Sequence, residues 1–158
     1  MPLLRRPGPP VREGSLALGR MDEYLGFRLR RIQNRLSKDF AAAVGHHNLR
    51  HGLFSSLALI ASNPGTSQAA ISREVGLDKS VTVAIVDELE RRGFAQRRPS
   101  ETDRRRHALY ATPAGEAFLD ELFAVLDETE QNAAAQLSPA ELALLHEFLD
   151  RIYTACID

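Results

Sequence analysis

From Met21 onward the apolar positions fall at helical spacing. Leu25, Leu29, Ile32, Leu36, Phe40 and Ala43 follow one another at intervals of three or four residues. They line one face of a long predicted helix that ends near Gly45. A shorter helix is predicted through "LRHGLFSSLALIAS", and Asn63-Pro64-Gly65 stops it. In "TSQAAISREVGLDKSVTVAIVDELERRGF" Thr66 or Ser67 can cap a short helix that runs through Val75. Gly76 then supplies a tight turn, and Asp78 can cap a helix from Lys79 to about Arg92. Ala70, Ile71, Val75, Leu77, Val81 or Val83, Val86 and Leu89 would fill the angle between two crossed helices. That is a helix-turn-helix pattern, with the outer face of its second helix free to enter a groove.

After Gly93, a helix terminator, "FAQRRP" and "RHALYAT" read as short strands joined by "SETDRR". Two strands behind a helix-turn-helix make a wing. Thr112 caps the next helix, with Pro113 at its first position and Phe118, Leu122, Val125 and Leu126 on one side, to about Leu137. A last helix starts at "LSPAEL", with Ser138 as cap and Glu141 as its capping-box partner, and carries Leu142, Leu145, Leu149 and Ile152 in a stripe. The fold class expected is mainly α with a small two- or three-stranded β wing: a winged helix-turn-helix plus a helical dimerisation domain. Residues 49–112 form the first, and residues 20–48 with 113–158 the second. Residues 1–19 hold four of the eight prolines and three of the glycines, and read as a flexible arm.

Composition adds two constraints. The 158 residues suffice for a packed core without staples, and the one cysteine, Cys156, excludes an internal disulfide and reads as a buried residue near a helix end. No run approaches the roughly 18 apolar residues of a membrane span, and the first residues lack the apolar centre of a secretory signal, so a cytoplasmic protein is expected. The net charge of −1 conceals an asymmetry: residues 1–50, 51–112 and 113–158 carry +6, +2 and −9. Between Arg91 and His107 seven arginines meet only Glu101 and Asp103, a local excess of +5. A positive block on an otherwise acidic chain suits a polyanion.

The long first helix, "SREVGLDKS", "VDELERRGFAQRR", "DRRRHALYATPAGEAFL" and two closing helices, taken together over residues 21–155, resemble the MarR family of winged-helix transcriptional regulators. The resemblance implies a homodimer in which the first and last helices of both chains intertwine, and a ligand-responsive regulator, here expected to be a repressor, on pseudo-palindromic double-stranded DNA. Independently, the apolar stripes of the terminal helices exceed what one chain can cover, whereas a symmetric partner would cover them. A twofold dimer would set two recognition helices about 34 to 36 Å apart, one turn of the duplex.

The recognition helix places Lys79, Ser80, Val81, Thr82, Val83 and Ala84 near the groove floor. Ala84 departs from the basic or polar residue common in the family, and the helix's first three turns hold no arginine for a bidentate guanine contact. The resemblance carries Asp103 and Arg105 onto the wing motif, with Arg105 entering the minor groove and Asp103 holding the arginine cluster in shape. A narrow minor groove has enhanced negative potential, which favours an inserted guanidinium. Arg104, Arg106 and Arg97 or Arg98 are expected on phosphates.

Family members commonly bind a small molecule between the dimerisation helices and the winged-helix unit. At that junction "VGHHNLRHGLF" gathers His46, His47, Arg50, His51 and Phe54, and Arg28, Arg31 and Arg35 would add charge from the first helix. This set suits an anionic aromatic effector, an aromatic acid for example, with Phe54 stacking on its ring. A zinc site using His47 and His51, and a merely exposed polar loop, are the other readings of the same residues. No cofactor is called for. An enzyme explains none of these features, since the chain has no phosphate loop and no nucleophile elbow. A winged-helix interaction module without specific DNA binding, or a metal-responsive regulator, stands as the alternative.

Overall fold

The computed structural model describes residues 16–99 and 107–157. A 3₁₀ turn, Gly19–Glu23, leads into α1 (Leu25–Ala43), and a second, Gly45–His47, follows it. Next come α2 (Leu53–Ser62), α3 (Gln68–Val75), α4 (Lys79–Arg91), β1 (Ala95–Pro99), β2 (His107–Ala111), α5 (Pro113–Ala134) and α6 (Pro139–Ile157). The strands pair antiparallel, from Ala95 opposite Ala111 to Pro99 opposite His107. A single bridge from Thr66 to Leu109 takes the place of a third strand. The chain is thus mainly α with a two-stranded wing.

Local chemistry accounts for most of these boundaries. Ser67 Oγ accepts the Ala70 N–H, and Gly76 ends α3 at φ 70°, where a side chain would be strained. Ser72 Oγ donates to the Leu77 carbonyl at 2.7 Å, closing the turn between α3 and α4. Asp78 occupies the N-cap of α4 without a side-chain bond. Thr112 serves two elements at once: its Oγ1 donates to the Gly93 carbonyl at 2.6 Å and accepts the Gly115 N–H at 3.0 Å. At the head of α6, Glu141 accepts the Ser138 N–H at 2.8 Å, and Ser138 Oγ accepts the Glu141 N–H at 3.4 Å, a closed capping box.

The core lies around the helix-turn-helix. Leu53, Leu57 and Ile60 of α2 meet Ile71 of α3, Ile85, Val86 and Leu89 of α4, Leu109 of β2, and Phe118, Leu119 and Leu122 at the start of α5. Neither Val81 nor Val83 joins it, contrary to the sequence pattern; both are exposed, and Thr82 and Ile85 point inward instead. By contrast α1 has no buried residue. Ile32, Leu145, Phe148 and Tyr153, on α1 and α6, are among the exposed large hydrophobic residues. Cys156, expected to be buried, is exposed on α6. No helix among the described residues is long and apolar enough to cross a membrane.

Candidate nucleic-acid interface and effector cavity

The outward face of α4 is built by its own periodicity. Ile85, Val86 and Leu89 turn to the core, which leaves Lys79, Ser80, Val81 and Val83 exposed and Ala84 half-covered. Thr82 is the correction to the expected reading face: it is fully buried, and its Oγ1 donates to the Asp78 carbonyl at 3.1 Å. A hydroxyl committed to the first turn of its own helix is not presented to a base. The remaining face offers one ammonium, one hydroxyl and small apolar groups.

Arg97 and Arg98, adjacent on β1, have separate fates. Arg97 is only 22% exposed; its Nη1 pairs with Glu90, its Nη2 lies 2.7 Å from Asp87 Oδ1, and its N–H donates to Glu90 Oε1 at 2.7 Å. Gln68 at the head of α3 accepts from the same guanidinium at 3.3 Å. Arg97 thus clamps β1 to α3 and α4 and is not a free phosphate ligand, contrary to its expected role. Arg98 is exposed, its guanidinium 4.7 Å above the ring of Tyr110, which leaves its charge facing solvent. Asp103, Arg104, Arg105 and Arg106 lie outside the described residues, between the paired ends Pro99 and His107.

A cavity of 730 Å³ opens between α1 and the segment leading into α2. Leu29, Ile32, Leu36 and Phe40 form one wall, and Arg50, His51 and Phe54 stand on the other. Phe54 packs on Phe40 at 5.2 Å and on Phe123 at 5.1 Å, so its ring is held in place. Glu130 of α5 adds a carboxylate to the lining. Three of the seven expected effector residues therefore meet here.

The other four do not. The His46 and His47 rings lie tilted against each other with centroids 3.9 Å apart, and His47 meets Phe118 edge-to-face at 5.0 Å, away from the cavity. His47 ends a 3₁₀ turn and His51 precedes α2, so they do not share the continuous helix that a paired metal site needs. Among the described residues no three His, Cys, Asp or Glu side chains converge. Arg28, Arg31 and Arg35 line a second cavity of 500 Å³, which shares Ile32 and Leu36 with the first. There Arg28 is paired with Asp22 at 2.8 Å and Arg35 with Asp39 at 2.8 Å, so most of the expected charge is neutralised locally.

Pattern reading missed one residue that joins the two regions. Arg92, one residue past α4, donates from Nη1 to the His47 carbonyl at 2.9 Å and from Nη2 to the Asn48 carbonyl at 3.2 Å. Its Nε donates to Glu88 at 2.6 Å. The adjacent Arg91, then Arg92, hold the Glu88 carboxyl below the usual carboxylate range by hydrogen bonding. In the sequence Arg92 is one of two neighbouring arginines on a charged helix end, and nothing local separates its role from that of Arg91.

A helix-turn-helix with an exposed second helix, a two-stranded wing and long apolar outer helices matches known regulators in both sequence and shape. The sequence profile of the MarR family matches residues 54–106. A candidate transcriptional regulatory protein for the hcr operon of Thauera aromatica is 37% identical over 139 residues, 87% of this chain and 84% of its own length. The transcriptional repressor CouR bound to a 23-mer DNA duplex is 33% identical, with a TM-score of 0.76 over 88% of this chain and 99% of that one. CouR from Rhodococcus jostii RHA1 bound to p-coumaroyl-CoA is 27% identical, with a TM-score of 0.73 over 84% of this chain and 93% of that one. Identity and coverage at this level, joined to the wing and the recognition helix, make the chain a member of the MarR family of DNA-binding transcriptional regulators.

Proposed function

We propose that the protein is a homodimeric repressor that binds a pseudo-palindromic operator and is released from it by an anionic aromatic effector. The carrying observation is the pairing of an outward recognition face, Lys79, Ser80, Val81, Val83 and Ala84, with an aromatic-lined cavity whose wall runs into the same winged unit. Arg98 and the arginines at 104–106 supply the phosphate and minor-groove contacts, with Asp103 ordering the tip. Residues 20–48 and 113–158 form the dimerisation part and residues 49–112 the DNA-binding part. The DNA-bound CouR supports the repressor reading, and the p-coumaroyl-CoA complex supports an aromatic acyl group in the cavity, its ring against Phe40 and Phe54 and its polar end toward Arg50 and His51.

Binding of duplexes from the promoter of its own gene tests the first half. Affinity falls by about 10³-fold or more between 50 and 200 mM salt if several phosphates are contacted; a flat response instead marks a protein-interaction module. For the second half, p-coumaroyl-CoA and 4-hydroxycinnamate are titrated against the protein–duplex complex and in thermal melts. Release accompanied by a raised melting temperature is expected. A shift with zinc but with neither aromatic compound would overturn the effector reading.

A further inference from the structure

The cavity wall and the recognition helix are tied together at two places, by Arg92 just past the end of α4 and by Leu77 and Ile85 in the preceding turn and the middle of the helix. The segment from Gly45 to Gly52 lines the cavity, contributing Asn48, Leu49, Arg50 and His51. Its first half is gripped by Arg92, which holds two consecutive carbonyls of the segment while anchored to Glu88 one turn back on α4. Its second half rests on the turn of the helix-turn-helix. A Cβ on Gly52 would lie 2.6 Å from Leu77 Cδ1 and 3.3 Å from Ile85 Cδ1, so the backbone there packs against Leu77, in the turn before α4, and against the core face of α4 itself. The segment carries no regular helix beyond its 3₁₀ turn, and Asn48 adopts φ 51°, an uncommon conformation for a side-chain-bearing residue.

We propose that this segment is the movable wall of the cavity and that Arg92 is the positioning residue that carries its displacement to the recognition helix. The inference rests on the reading of the cavity as an effector site. Occupancy on the cavity side displaces the backbone of residues 45–52. Two of the three groups that Arg92 holds move with that backbone, and the third, Glu88, belongs to α4. A planar guanidinium spans all three at once, whereas an ammonium is a single point and cannot. The Gly52 contact acts as the pivot, because it is apolar and close-packed, and Arg92 acts as the lever 40 residues away in sequence. Arg91, whose bonds among the described residues go to Glu88 on its own helix, has no such role.

A tethered probe tests this without the natural effector. Ser55 lines the cavity and is exposed, and Cys156 is also exposed, so Ser55→Cys in a Cys156→Ser background leaves one thiol, in the cavity wall. Alkylation with N-phenylmaleimide then places an aromatic group inside. With Arg92 present, alkylation is expected to deprotect the amides of residues 88–94 to hydrogen exchange and to weaken duplex binding by about tenfold or more. With Arg92→Met both responses to alkylation are lost, although the unmodified variant still melts cooperatively; Arg92→Lys, which keeps the charge, loses them as well and serves if the methionine variant does not fold. Arg91→Met keeps both.

Equal responses with and without Arg92, or none in the Arg92 protein, overturn the inference. If no duplex binds but the exchange response still requires Arg92, the relay stands and the DNA reading falls. If duplex binding responds equally in both proteins, the reverse holds.

Discussion

Gly115 shows how a short motif acquires its reason only in three dimensions. In "TPAG" the threonine caps α5 and the proline occupies its first position, but a Cβ at Gly115 would overlap the Phe94 carbonyl oxygen, which also accepts the Thr112 N–H at 3.0 Å. The junction of wing and α5 is therefore a backbone-to-backbone contact. Gly115→Ala, which would ordinarily favour a helix, is expected to destabilise by about 1 to 3 kcal/mol, seen as a lowered melting temperature. The arginines divide by the same kind of scrutiny. Arg97→Ala removes bonds to Glu90, Asp87 and Gln68 and should cost about 1 to 3 kcal/mol of stability while leaving the salt dependence of DNA binding in place. Arg105→Ala should do the opposite: unchanged melting and strongly weakened operator binding at matched salt. Melting and binding measured together on both variants decide the assignment, and an Arg105→Ala protein with wild-type affinity would refute the wing role.

At the scale of elements, α4 and α6 illustrate the two ways in which a helix is specified. α4 is placed by the core residues on its inner face, and its reading face is what remains. That face has few polar groups, so on the proposed reading direct base recognition from it would be limited to Lys79, Ser80 and methyl contacts, with the rest left to the wing. α6, in contrast, is set by its own first turn. The Ser138 N–H and hydroxyl both bond Glu141, and they hold its carboxyl below the usual carboxylate range. A depressed carboxyl contributes stability above the ordinary glutamate value of about 4.3, and that contribution is lost as pH falls through the lowered value. Amide protection in the first turn of α6 is thus expected to persist at neutral pH and to fade below about pH 4, and Glu141→Gln should weaken it at neutral pH and abolish the pH dependence. Equal acid sensitivity in that variant would assign the loss to another group. Tyr153 on the same helix donates to Glu74 of α3 at 3.2 Å, a bond that raises the phenol's pKa and links the last helix to the DNA-binding unit.

Among the described residues the buried core runs from Val44, at the end of α1, through α2 to the first half of α5, while α1 and α6 extend apolar residues into solvent. The exposed set of Leu25, Ile32, Leu144, Leu145 and Phe148 is what a twofold partner would cover. Phe148→Glu should therefore yield a monomer in sedimentation, with helical content largely kept and operator affinity reduced because one half-site is lost; a dimer that survives this charge would place the interface elsewhere. The charge distribution follows the same division: the segment from residue 113, with its net charge of −9, forms α5 and α6, whereas Arg91 and Arg92 stand at the end of α4 and Arg97 and Arg98 on β1. A duplex approaching the winged side meets attraction there and repulsion elsewhere, which favours one docking orientation.

Much of this was legible in the chain itself. Caps, glycine turns and helical periods are encoded within a few residues, because the hydrogen bonds and stripes that create them span only three or four positions, and so the element order, the wing, the caps at Ser67 and Thr112 and the capping box at Ser138 follow from the sequence. Faces and partners are different. Val81, Thr82 and Val83 sit within one turn, and only the packing of α4 against α2 and α3 decides that Thr82 turns inward while its neighbours face out. Nothing near Arg97 in the sequence announces Asp87, Glu90 and Gln68, and nothing near Arg28 says that it faces Asp22 in a cavity apart from Arg50 and His51. Arg92 reaches back 44 and 45 residues to the carbonyls of Asn48 and His47. Contacts of that separation have no local signature, so the folded chain alone decides which charges bind a partner and which hold the protein together.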